Sequence, residues 1–373
     1  MKKKIIYIDE DARYGGPQHR MILISNNLRE KFDISYLISD DQNQVFKKKL
    51  IQQKLNFKEI KITRLSKNFK TLSKYIIFFI PELISLILIL IKIKPDVVQV
   101  NSTPHFKALI AACLIKIPTI WVLEDANLPP IVKYIFKILN FIFKPNILVT
   151  SSIVSKYYLN HCKFNKKLRK IYAPVSLKKF NPKNYNFKKI NRKKIKILMV
   201  ANLTKIKGIE VFLKIVKYSP DNYQFTLCGG FTDTQKEYAK ELISKFRKFK
   251  KNKLNYLGYQ ENISKIISKN DIMVCTSLSE AGPMTSIEGI CMKKPLISNK
   301  VGIIFDLFNK KNDFCIVKDN NPLEFLNYIE FLLNNPSVRK SIINKSYNIV
   351  INELSVTHIS KKYEDYYKFA IKN

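Results

Sequence analysis

What most limits the folds open to this chain is an alternation. Short runs rich in Ile and Val recur along its 373 residues, separated by longer stretches with helical spacing. Parallel strands need a crossover long enough to hold a helix, and strands covered on both faces read as unbroken apolar runs. In the first half the runs are Lys4–Asp9, Asp33–Ile38, Phe57–Thr63, Val97–Asn101, Thr119–Leu123 and Ile147–Thr150. In the second half they are Lys196–Ala201, Tyr223–Cys228, Asn255–Leu257, Ile272–Thr276, Pro295–Ser298 and Asp313–Val317. Between the halves, Ala173–Lys194 is rich in Lys, Asn and Pro without periodicity, the signature of a linker. The expected organisation is a Rossmann-like α/β domain over residues 1–175, a linker over 176–194, and a second such domain over 195–355. A final helix over 356–373 is expected to pack back on the first domain. Both sheets should be doubly wound and parallel and face each other across a cleft, with ligand at their carboxyl ends.

Charge narrows the partners. Lys and Arg total 66 against 29 Asp and Glu, a net charge of +37 that attracts phosphates and anionic lipid. No Cys/His finger, aromatic RNP strand or G-x-x-G loop is present, so sequence-specific nucleic-acid binding is not expected. The six cysteines are scattered with no C-x-x-C pair, and the first apolar run is followed at once by Asp9, Glu10 and Asp11, unlike an export signal. The expected location is cytoplasmic, on or near the inner face of the cell membrane. Tyr75–Ile93 is nearly all Ile, Leu and Phe, but Pro81 and Glu82 interrupt it, leaving less than the roughly 20 residues of a bilayer span. In Ile131–Lys144, Lys133, Lys137, Asn140 and Lys144 share one helical face among aromatic and aliphatic residues. That pattern fits peripheral contact with an anionic membrane; the plainer reading of both segments is core helix.

The chemistry concentrates in two places. Glu280-Ala-Gly-Pro-Met-Thr-Ser-Ile-Glu288 follows a strand and opens a helix. Gly282 lets backbone approach a ligand, Pro283 suits a helix start, and the free amides there offer a diphosphate site. The two carboxylates suit sugar or ribose hydroxyls better than phosphate. The plainer alternative for the pair is a capping carboxylate and a solvated one. The second place is Val200-Ala-Asn-Leu-Thr-Lys-Ile-Lys-Gly208, where Lys205 and Lys207 sit at a strand end able to neutralise a departing diphosphate. Elsewhere, Asp9, Glu10 and Asp11 read chiefly as caps, Trp121 as core, and His105 as a surface histidine by default, although its place at a strand end would let it enter the cleft on the acceptor side with Glu124 and Asp125. No D-x-D pair or ligand cluster calls for a metal, and no cofactor is expected.

These motifs, in this order, resemble the retaining glycosyltransferases of the GT-B fold, glycosyltransferase family 4, most densely from Ile195 to Leu307. The E-x7-E pair, Lys207-Gly208, Asp271-Ile-Met-Val-Cys-Thr-Ser and Lys293–Gly302 carry the resemblance. Gly15-Gly16-Pro17, Lys94-Pro-Asp-Val-Val, Ile171-Tyr-Ala-Pro-Val and Phe180-Asn-Pro extend it. The resemblance implies transfer of a sugar from a nucleotide diphosphate sugar, with retention, to a glycan or lipid-linked acceptor in surface polysaccharide or glycolipid synthesis. It implies that Glu280 touches the sugar and Glu288 the ribose. Lys207 would hold the diphosphate with the backbone of Gly282, Pro283, Met284 and Thr285 and the Gly15-Gly16 turn. Where the family has an arginine this chain has Asn202, leaving the charge to Lys207 and Lys205. Where a histidine is usual, Glu124 and Asp125 stand. Rival readings are a sugar-nucleotide epimerase on the same fold and a basic binding protein for anionic lipid or nucleic acid. A nicotinamide dehydrogenase would need G-x-G-x-x-G after a first strand, which is missing.

Overall fold

In the computed structural model the described residues are 2–11, 13–40, 45–159, 167–187, 189–231, 235–249, 253–308 and 314–372. They divide into two units, residues 1–174 with 356–373, and residues 175–355.

The strands of the first unit are β1 (Lys3–Asp9), β2 (Phe32–Ser39), β3 (Asn56–Ile60), β4 (Val97–Asn101), β5 (Thr119–Leu123), β6 (Asn146–Val149) and β7 (Leu168–Lys170). They form one sheet in the order β3-β2-β1-β4-β5-β6-β7, and each neighbouring pair is parallel. The strands of the second unit are β8 (Ile195–Val200), β9 (Tyr223–Cys228), β10 (Leu254–Tyr256), β11 (Ile272–Cys275), β12 (Leu296–Asn299) and β13 (Cys315–Val317). Their order is β10-β9-β8-β11-β12-β13, again all parallel. In each sheet the winding reverses beside the first strand, between β1 and β4 and between β8 and β11. A doubly wound sheet opens a crevice at that point, where the helices on either side diverge.

The expected strands are present, with ends shifted by a few residues. β7, an edge strand of three residues with two basic positions, has no apolar signal and escaped the sequence reading. Asp313, the expected start of the last strand, and Cys162 lie outside the described residues.

The presumed linker is mostly fastened to the second unit: the Tyr185 hydroxyl pairs with Ser264 Oγ at 2.8 Å, and Arg192 donates to the Leu333 carbonyl at 2.7 Å. Its polar, proline-bearing sequence hid packing made by single anchors rather than by a periodic face. The helix Val356–Lys372 packs on the helix Gly16–Leu28 of the first unit. Its Tyr367 is fully buried, within 2.5 Å of the Tyr7 hydroxyl, and donates to Gln99 Oε1 at 2.8 Å.

Candidate active site

The second unit's switch point brings together the two motifs that lie some 70 residues apart in sequence. After β8, residues Lys205–Lys207 make a single 3-10 turn closed by Gly208 at φ +63. A Cβ at Gly208 would lie 2.0 Å from the Thr276 carbonyl oxygen, so glycine is required for both conformation and space. Thr276, just past β11, donates its hydroxyl to the Gly208 carbonyl at 3.0 Å, and the Leu278 amide donates to the Ile206 carbonyl at 2.7 Å. These bonds tie one loop to the other.

Across that junction Lys207 Nζ lies 2.6 Å from Glu280 Oε1, with both side chains largely shielded. Ser277 Oγ donates to the same oxygen at 2.6 Å. Ser277 was not singled out from sequence; its signal is a hydroxyl three positions before the glutamate, at the strand exit. Behind the loop, Asn299 Nδ2 donates to the Ser277 carbonyl at 3.1 Å. Gly302, at φ +41, packs so tightly under the Glu280 and Ala281 carbonyls that a Cβ would come within 2.5 Å of both.

The helix Met284–Cys291 begins here, with Pro283 at its N-cap rather than inside its first turn. The expected row of free amides is thinner than the sequence implied. Met284 donates its amide to the Gly282 carbonyl at 2.9 Å and Pro283 has none, so the amides of Gly282 and Thr285 are those without a backbone partner among the described residues. The Thr285 hydroxyl is also committed, donating to the Val200 carbonyl at 2.9 Å and stitching the helix to the end of β8. Glu288 sits in the second turn, partly buried and without a side-chain hydrogen bond to any described residue. Burial raises its carboxyl to about 8, with the charge of Lys179 opposing the rise. Asn202 and Lys205 are exposed, the latter with Nζ 5.9 Å from the centre of the Tyr238 ring.

The first unit's switch point holds the acceptor-side candidates. Gly15 caps the helix Gly16–Leu28 and both Gly15 and Gly16 are exposed; a Cβ at Gly16 would meet nothing within 4 Å. Gln18 links the Gly15 amide, accepted at 3.0 Å, to Asp9, to which it donates at 2.8 Å. Glu10 is fully buried and accepts the Ala108 amide at 3.0 Å, capping a helix almost a hundred residues away. Burial raises Glu10 to about 8, against the pull of Lys107. His105 is buried too, its Nε2 3.8 Å from Asp9 Oδ1, and burial lowers it to about 4, so its imidazole is neutral. It is therefore not a surface histidine. Glu124 is spoken for by an ion pair with buried Arg20, which also donates to Asn101 Oδ1 at 3.3 Å. Asp125 is the exposed carboxylate of the set; desolvation by its surroundings and the Glu124 charge raise it to about 6. Trp121 is core, donating Nε1 to the Ser102 carbonyl at 3.2 Å. Among the described residues no group of three His, Cys, Asp or Glu is arranged to hold a metal.

This architecture is that of the GT-B fold. A glycosyltransferase of Rickettsia africae superposes with a TM-score of 0.81 over 100% of this chain and 99% of that one, at 21% identity. HepE of Anabaena, solved with UDP and glucose, gives 0.81 over 97% and 98%, at 15% identity. Residues 181–349 match the family described as Glycosyl transferases group 1. In Campylobacter jejuni, a GalNAc-alpha-(1->4)-GalNAc-alpha-(1->3)-diNAcBac-PP-undecaprenol alpha-1,4-N-acetyl-D-galactosaminyltransferase is 22% identical over 96% of this chain and 97% of its own length. The chain is a glycosyltransferase, and the part of it that matches the group 1 family model lies in its second unit.

Proposed function

We propose that the enzyme transfers a sugar from a nucleotide diphosphate donor to a lipid-linked glycan, with retention of anomeric configuration, in the manner of glycosyltransferase family 4. The observation that carries this reading is the Lys207–Glu280 pair at the carboxyl ends of β8 and β11. At rest each group neutralises the other in a shielded place. On donor binding the pair would part, Lys207 to the diphosphate and Glu280 to sugar hydroxyls. As the bond from the anomeric carbon to the phosphate oxygen breaks, Lys207 stabilises the charge left on the diphosphate. The acceptor oxygen bonds to the anomeric carbon on the same face, and its proton passes to the leaving phosphate oxygen. No metal or cofactor enters this scheme.

A uridine nucleotide is supported as donor by the UDP-bound neighbour. An undecaprenyl-diphosphate glycan is supported as acceptor by two relatives, the second a Campylobacter jejuni N,N'-diacetylbacillosaminyl-diphospho-undecaprenol alpha-1,3-N-acetylgalactosaminyltransferase, 26% identical over 56% of this chain and 52% of its own length. With such an acceptor the enzyme would work at the inner face of a membrane, where the exposed Lys137 and Lys144 would meet anionic headgroups. A panel of nucleotide sugars scored by thermal shift identifies the donor, and NMR of the product gives the anomer. Inversion would remove the retaining scheme. Donor turnover without any acceptor would point to an epimerase instead.

A further inference from the structure

The segment Phe69–Ile93 folds as two helices, Phe69–Ile77 and Phe79–Ile93, bent by 60° at Phe78. The charge that interrupts this apolar run does not face outward. Glu82 is turned into the first unit, where it accepts the Thr63 amide at 2.9 Å and hydroxyl at 2.7 Å and pairs with fully buried Lys107. Tyr75 is turned inward as well, under Lys107 Nζ at 4.3 Å from its ring centre. With both polar groups taken inside, the outer row is uncharged from end to end. Ile76, Ile77, Phe78, Ile84, Leu88 and Ile91 are each exposed, Ile77 by 68%. Exposed lysines close the row at both ends, Lys70 and Lys74 before it, Lys92 and Lys94 after it.

We infer that this bent helix pair is a membrane-docking element that lies in the headgroup boundary of an anionic bilayer, its apolar row sunk among the acyl chains. Neither helix alone is long and apolar enough to cross a membrane. A row of this breadth facing water is unfavourable, which marks it as a covered surface. The lysines at its ends match phosphate-bearing headgroups. A second copy of the chain is a poor occupant, because molecules of net charge +37 with lysines flanking the patch repel one another. The helix Pro130–Phe143 of the same unit also presents apolar side chains, Tyr134 and Phe141, to solvent. The two elements are joined by the helix Phe106–Leu114, which packs against both. Lys107, on that joining helix, fastens the docking element from beneath. The inference deepens the lipid-linked reading but is tested apart from it.

The full chain is sedimented with phosphatidylcholine vesicles, with and without phosphatidylglycerol. The expected result is binding to the anionic vesicles alone or far more strongly. I77E/L88E should lose it by about tenfold or more, since each leucine or isoleucine withdrawn from the acyl region removes burial of that order. K70A/K74A should weaken it by roughly tenfold through lost headgroup attraction. Both variants should keep the wild-type melting temperature and UDP-induced thermal shift, which separates failure of docking from failure of the donor site. Wild-type protein that ignores both vesicles, I77E/L88E that binds like wild type, or a lipid-free dimer that I77E/L88E dissolves would each overturn the inference.

Discussion

Lys207 and Glu280 meet with one short contact in a place from which water is largely excluded, so removing either strands the other's charge. Lys207→Ala should lower kcat by about 10²-fold or more, the usual loss when a charge-stabilising group is deleted. Glu280→Gln keeps the shape but not the charge and should cost activity while the fold survives; steady-state kinetics and a thermal melt read both. Glu288 makes a different prediction. Its carboxyl titrates at about 8 in the folded protein, above the ordinary range. From the ordinary range up to about 8 the unfolded chain therefore holds fewer protons than the native one, and stability falls as pH rises. Glu288→Gln should remove that part of the slope. Urea unfolding of both proteins across the interval checks it; parallel slopes would mean that Glu288 ionises normally.

Elements explain why these residues meet. β8 and β11 are neighbours at the reversal of the sheet, so the loops leaving their carboxyl ends must touch. Gly208 is the hinge of that contact. Gly208→Ala should destabilise the second unit by about 1–3 kcal/mol, because the left-handed backbone and the Thr276 carbonyl leave no room for a methyl group. It should also lower activity beyond the stability loss by moving Lys207. Denaturant melts alongside activity at permissive temperature separate the two effects. This placement was legible in sequence because strand ends can be read from apolar runs, and polar residues just past them fall at the crevice. Long-range partnerships were not legible. Nothing local announces that Glu10 caps the helix starting at Phe106, or that Glu82 turns inward to Lys107. Nor could helical spacing reveal that Lys133 would lie over the Tyr157 ring, which reduces the basic stripe of its helix to Lys137 and Lys144. β7 was lost because an edge strand needs no apolar face.

At the scale of the molecule, the last helix is a structural part of the first unit, although the whole second unit separates them in sequence. Tyr367 reaches Tyr7 and Gln99 in the core, so Tyr367→Phe should cost about 1–3 kcal/mol by leaving Gln99 unsatisfied. Truncation after Ser355 should expose the first unit, not the second, to proteolysis. The charge distribution acts at this scale too, attracting phosphate-bearing molecules to a strongly basic protein.

The most direct test of the whole account is a transfer assay with a UDP-sugar and an undecaprenyl-diphosphate glycan, run on wild type, Lys207→Ala and Glu280→Ala. A glycosylated lipid is expected from wild type, and from each folded variant a rate lower by about 10²-fold or more. Variants that remain folded and transfer sugar at the wild-type rate would contradict it.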